Sequence, residues 1–122
     1  MKIERFEDLE CWKQSRIITK KIYSIVKRKD FSSDYRLRDQ ITGAAISIMN
    51  NIAEGFDSQS NREFIKFLVY SRRSASEVQS CLYVALDQNY IDENLFTELY
   101  NECTITRKLI DGLLKYLRSK HI

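Results

Sequence analysis

Apolar residues recur along this chain at intervals of three and four, in four blocks separated by short polar segments. In the second block Leu37, Ile41, Ala44, Ile48, Ile52 and Gly55 fall on one helical face, the pattern of a buried amphipathic helix. Beside that stripe runs another of Gln40, Gly43, Ser47, Asn51 and Glu54. Small and polar groups next to an apolar stripe predict a helix approached closely on two sides, with polar atoms that need partners.

The first block places Cys11, Ser15, Ile18, Ile22 and Ile25 on an inner face, flanked by Trp12, Thr19, Tyr23 and Val26. It predicts a helix over about 9–28, ended by a break at Asp30-Phe31-Ser32-Ser33. Ser33 or Asp34 is then placed to cap a second helix over about 34–55, with Gly55 as its left-handed terminal residue. Ser60-Asn61-Arg62-Glu63 reads as a capping box and opens a third helix over about 61–88. Phe64, Leu68, Ser71, Ala75, Val78, Leu82 and Ala85 line its seam, beside a stripe of Phe67, Ser74, Glu77 and Cys81. Ile91-Asp92 followed by Phe96 reads as a staple around an aspartate cap, opening a fourth helix over about 93–118. Its core face is Leu95, Leu99, Cys103, Thr106, Ile110, Leu113 and Leu117, and the tail 119–122 is expected to fray. Short connections make neighbouring helices antiparallel. The expected fold class is therefore all-α, an antiparallel up-down-up-down four-helix bundle in one domain spanning 1–122.

Composition agrees. There is no proline and there are three glycines, too little punctuation for an all-β design. Cys11, Cys81 and Cys103 include no C-x-x-C pair and sit at or beside apolar helical positions, so they read as buried, reduced thiols. No apolar run approaches the roughly 18 residues of a membrane span. The acidic start Met-Lys-Ile-Glu-Arg-Phe-Glu-Asp is unlike a signal peptide. The expectation is a cytoplasmic chain without a membrane partner.

Several of these residues also form a recognisable constellation. Leu9 and Trp12 open helix one, and Gln40-Ile41, Ala44-Ala45, Ser47-Ile48 and Asn51-Ile52-Ala53-Glu54-Gly55 occupy helix two. Phe64, Phe67, Leu68, Ser74, Glu77 and Cys81-Leu82 follow on helix three. Together they resemble the small four helix bundle proteins named after intervening sequences in large-subunit (23S) ribosomal RNA genes. That group is similar to the accessory variability determinants of diversity-generating retroelements. Thr42-Gly43, Met49 and Ser71-Arg72-Arg73-Ser74 depart from the usual family pattern of basic residues, proline and Ala-Arg-Gly-Ser at those places. The resemblance implies a homo-oligomeric ring, commonly a pentamer, with no enzymatic activity. In the retroelement branch it also implies binding to a reverse transcriptase and to RNA or DNA.

Catalytic chemistry finds little footing. The sole histidine is His121, in the tail, so the two Glu-x-x-His motifs of a ferritin-like metal site are missing, as is an internal base for a Cys or Ser nucleophile. Arg118-x-x-His121 is too closely spaced for the arginine-histidine pair of some helical ribonucleases. No catalytic residue, metal ligand or cofactor is assigned. Ser47, Asn51, Glu54, Ser74 and Glu77 are read instead as a structural polar seam between helices two and three.

Charge is the remaining lead. The chain carries a net +3, too mild alone to imply nucleic acid. Yet residues 12–43 hold nine basic and three acidic side chains, and residues 87–102 hold five acids and no base. The candidate nucleic-acid contacts are Lys27, Arg28, Lys29, Arg36 and Arg38 at one end, and Arg62, Lys115 and Arg118 at the other. At the first end the acids of 87–102 are expected to cancel much of the field within a Debye length of ~10 Å. At the second, Glu4, Glu7, Asp8, Glu10, Asp57 and Glu63 make the field mixed. Finally, Tyr23, Tyr70, Tyr83, Tyr90 and Tyr116 cannot all face one core. Tyrosine and arginine are enriched at interfaces, so Tyr23, Tyr70, Tyr83, Arg72 and Arg73 are the expected subunit contact.

Overall fold

The computed structural model describes residues 2–120; His121 lies outside the described residues. A single 3-10 turn, Phe6–Asp8, leads into α1 (Glu10–Val26), α2 (Lys29–Ser32), α3 (Tyr35–Asp57), α4 (Asn61–Asp87) and α5 (Glu93–Ser119). No strand occurs among the described residues. The four long helices run up-down-up-down in the cyclic order α1, α3, α4, α5, with α3 and α4 in the most extensive contact. The fold is the helical bundle that the periodicity predicts.

The core is the predicted set of faces. Ile18, Ile22, Ile41, Ile48, Ile52, Leu68, Val78, Leu82, Leu99 and Ile110 have no exposed surface at all. On α5 the wall is completed by Leu114 rather than Leu113, which is only partly buried. A helix turns 100° per residue, so Leu114 stays in line with Ile110 and Leu117 where a strict heptad drifts.

The helix ends hold three corrections. Asp34 caps α3, its Oδ1 accepting from Leu37 N at 3.1 Å. The segment before it is not a plain break: Lys29–Ser32 forms one helical turn that buries Phe31 completely. Phe31 stacks on Tyr90, with ring centroids 5.0 Å apart. Secondly, Gly55 is not a left-handed cap. α3 runs through it to Asp57, and Gln59 takes the positive φ of 56°. Gly55 is instead a point of close approach by α4, with no room for a Cβ beside Phe67. Thirdly, only half of the capping box forms. Ser60 Oγ accepts from Glu63 N at 3.2 Å, but Glu63 turns to Lys66 and Ser60 N is left 3.4 Å from Ser58 Oγ.

At the other end of α4, Asn89 takes φ 62°, Tyr90 N donates to Ala85 O at 2.9 Å and Asn89 N to Leu86 O at 3.0 Å. This is a Schellman closure, and it aims Tyr90 back at α2 and α3. Asp92 then caps α5, accepting from Leu95 N at 2.8 Å.

Candidate functional site

The predicted seam between α3 and α4 exists but is smaller than the sequence suggests. Ser47 and Ser74 bring their hydroxyls to 3.0 Å. Asn51 Nδ2 donates to Ser47 O at 2.9 Å and to Ser47 Oγ at 3.0 Å. Deeper in, the buried Ser71 donates its hydroxyl to Ile48 O at 2.8 Å. Glu54 and Glu77 are exposed, and their carboxylates make no hydrogen bond to the described residues. They sit one step further round their helices than Asn51 and Ser74, far enough for water to solvate their carboxylates. They leave the seam, and Ser71 joins it.

Small side chains let this seam close. A Cβ built on Gly55 would lie 2.8 Å from Phe67 Cβ and 2.9 Å from Phe64 Cδ1. The seam is thus a packing device, with no titratable group of unusual character inside it. Among the described residues no group of three or more His, Cys, Asp or Glu is placed to hold a metal ion. The thiols are free. Burial pushes Cys11 and Cys103 up to about 12 and also raises the half-buried Cys81, with Glu77 adding to the effect. A raised thiol is a poor nucleophile.

The charged surfaces are better organised than their sequence positions imply. Residues 12–29 carry seven cations and no acid. Of these, Lys21 turns toward α5 and is bonded by Glu102 at 2.7 Å and Glu98 at 3.0 Å. Those two hydrogen bonds raise its pKa. Lys13 pairs with Glu10 at 3.1 Å. α5 thus spends Glu98 and Glu102 on Lys21, on the side of α1 away from α3, and pairs with none of Lys27, Arg28, Lys29, Arg36 and Arg38 among the described residues. Arg16, Lys20, Lys27, Arg28 and Lys29 make no ion pair among the described residues.

Arg16, Lys20, Tyr23 and Lys27 follow the spacing i, i+4, i+7, i+11 and so form one stripe along α1. Arg16 and Lys20 belong to the surface although the end-by-end reading of the charges passed them over. The same helical spacing that located the core would have found them. Across a groove of about 510 Å³ stand Arg38, Asp39 and Thr42 of α3, with Val26 and Ser32 completing its lining. Arg38 lies over the ring of Tyr35 at 4.8 Å, donates to Ser32 O at 3.2 Å and pairs with Asp39 at 3.2 Å. Lys27 and Arg38 therefore meet, with Arg28 and Lys29 following directly on Lys27.

Arg36 does not join them. It faces α4 and lines a groove with Gln40 and Glu77. At the far end Lys115 and Arg118 share a groove with Arg72 and Asp111, while Arg62 lies exposed in the first turn of α4. Arg72 is held by Asp111 at 2.7 Å.

The expected subunit residues are scattered rather than gathered. Tyr23 is on the α1–α3 side. Tyr70 lies beyond the seam, with Phe67 edge-on at 6.2 Å and Arg73 over its ring at 5.9 Å. Tyr83 belongs to an aromatic cluster with Phe96 and Tyr100, centroids 4.9 and 5.8 Å away. These five residues do not make one patch within a subunit.

The bundle has counterparts among known proteins. The family description "23S rRNA-intervening sequence protein" matches residues 7–112. The chain belongs to that family. A crystal structure of a protein of unknown function from the S23 ribosomal protein family of Bacteroides thetaiotaomicron superposes with a TM-score of 0.78. The two are 23% identical, over 86% of this chain and 98% of that one, a likeness that establishes the fold of this intervening sequence protein. No curated protein matches it. Neither the family description nor the neighbouring structure states an activity. No helix among the described residues of this family member is long and apolar enough to cross a membrane.

Proposed function

We propose that this intervening sequence protein is a non-enzymatic helical adaptor that assembles into a homo-oligomeric ring, most simply a pentamer. The ring presents repeated basic faces to RNA or DNA, or to an enzyme that works on them. The supporting observation is the segregation of charge: α5 neutralises Lys21, while Arg16, Lys20 and Lys27 project from α1 without a counter-ion among the described residues. Repetition around a ring converts weak single contacts into avidity, which offsets a net charge of only +3. Nuclease-treated protein is expected to bind labelled RNA in a mobility assay at low salt, with affinity falling as salt rises. Lys115→Glu with Arg118→Glu is expected to weaken that binding. Absence of binding at low salt sinks the nucleic-acid reading, and a monomer by light scattering sinks the ring.

A protein-only scaffold is the second reading, favoured by one observation. Ile17 and Ile105 are both about half exposed, at 45% and 48%, and they lie about one helical turn from Lys21 and Glu102 of the α1–α5 ion pair. A scaffold predicts an oligomer that survives nuclease treatment and retains no nucleic acid.

A further inference from the structure

We infer that the α1–α3 face binds single-stranded nucleic acid, stacking unpaired bases on Tyr23 and Tyr35 beside phosphates held by Arg16, Lys20 and Lys27. This rests on the nucleic-acid reading above and adds to it the form of the ligand and the place where it lies.

The stripe from Arg16 to Lys27 spans eleven helical steps, about 17 Å, and its cations bracket an aromatic ring. Tyr23 is 39% exposed and Tyr35 65% exposed, so each offers a ring to solvent. The two differ from Tyr70 and Tyr83 in their surroundings. Tyr83 is occupied by Phe96 and Tyr100, and Tyr70 by Phe67. Tyr23 instead borders the groove of about 510 Å³ whose wall also carries Lys27 and Arg38. Tyr35 is backed by the Arg38 guanidinium, which leaves its other side open. Trp12, beneath Arg16 at 6.0 Å, continues the alternation of ring and cation down α1.

Anions on this face are few and accounted for. Asp39 is held by Arg38, and Asp30 lies on α2 at one end of the face. Glu98 and Glu102 of α5 lie on the other side of α1, against Lys21.

This arrangement selects for form. A duplex displays phosphates but keeps its base faces stacked inside, so it leaves exposed tyrosines without a partner. A single strand offers both, and sites that track it combine cations with stacking rings in this way. Stacking is indifferent to sequence because every base has a π-face, so RNA and DNA single strands are both ligands.

The test uses the full chain in its native assembly and three labelled probes: oligouridine and oligothymidine of about 15 nucleotides, within the range of single-strand sites, and a duplex of the same length. Both single strands are expected to bind about tenfold or more tightly than the duplex. Tyr23→Ala and Tyr35→Ala each lower single-strand affinity by about tenfold, the lower part of the range for one stacked base, and leave duplex affinity unchanged. Tyr23→Phe, which keeps the ring, retains binding. Lys20→Gln with Lys27→Gln flattens the logarithmic salt dependence by about 1.4, that is about 0.7 for each phosphate no longer neutralised. Circular dichroism of each variant controls for folding. Lys115→Glu with Arg118→Glu, a charge change remote from this face, lowers single-strand and duplex binding alike. Duplex binding as tight as single-strand binding overturns the inference, as does wild-type affinity in both alanine variants, and either result leaves the wider nucleic-acid reading standing. If the native protein binds none of the three probes, both fall.

Discussion

Gly55 of α3 and Phe67 of α4 lie so close that a β-carbon on Gly55 would stand 2.8 Å from Phe67 Cβ. That neighbour is itself a β-carbon, which no side-chain rotation moves, so the obstacle cannot be cleared by turning one ring. α3 stays helical through this position, and the glycine serves the approach of two helices instead of a turn. Gly43 and Gly112 have nothing within 4 Å of such a carbon.

Opposite outcomes therefore follow for chemically identical changes. Gly55→Ala gains up to about 1 kcal/mol of helix propensity but overpacks the seam, at a cost of about 1–3 kcal/mol, with larger values when the backbone must move. The expected net effect is a loss of stability. Gly112→Ala gains the propensity alone and is expected to stabilise the protein by up to about 1 kcal/mol. Urea unfolding of the two variants decides the matter. A neutral or stabilising Gly55→Ala would mean that α3 and α4 do not need this contact.

Tyr90 predicts a pH effect. Its hydroxyl donates to Asp34 Oδ2 at 2.9 Å while Asp34 Oδ1 caps α3, so one carboxylate ties the α4–α5 turn to the start of α3. The hydrogen bond to Asp34 raises the phenol above its ordinary 10.0, with burial second. Because the folded state favours the protonated phenol, the bond contributes fully below pH 10.0. Its contribution fades as pH rises from there through the folded value, since the unfolded chain gains from ionising first. Tyr90→Phe is expected to be less stable than the native protein near neutral pH, and the difference is expected to shrink above about pH 10. A difference that stays constant with pH argues against the bond.

Thiol chemistry separates the three cysteines by burial. Cys11 and Cys103, pushed up to about 12, are expected to resist iodoacetamide in the native protein. Cys81, half-buried beside Glu77, is expected to react first and slowly, and all three are expected to react in denaturant. Mass spectrometry of timed samples gives the order. Early alkylation of Cys103 would contradict the packing of α5.

Much of the fold is legible in the sequence because a single physical rule carries it. A helix that buries one face must repeat apolar residues every three or four positions, and Ile18, Ile41, Leu68 and Ile110 do so. Caps are legible for the same local reason: Asp34 and Asp92 precede the helices that they close. Phe31 escapes a periodicity reading because a four-residue turn is too short to display a period. Glu54 and Glu77 are misplaced by it because helical spacing gives a residue's angle on its own helix, whereas its burial depends on the neighbour's distance and tilt. Arg16 and Lys20 are overlooked when charges are sorted by bundle end, although their spacing is open to view.

The sequence by itself determined four amphipathic helices, their order, their antiparallel sense and the faces they bury. Each of these depends on residues within a few turns of one another. Tertiary structure alone decided that Gly55 is a contact and not a cap. It also decided that Lys21 is neutralised while Lys20 is not, and that Asp34 shares its carboxylate with a tyrosine 56 residues away. Those outcomes depend on which groups meet across helices, and distance in space between remote residues is not written in any local period.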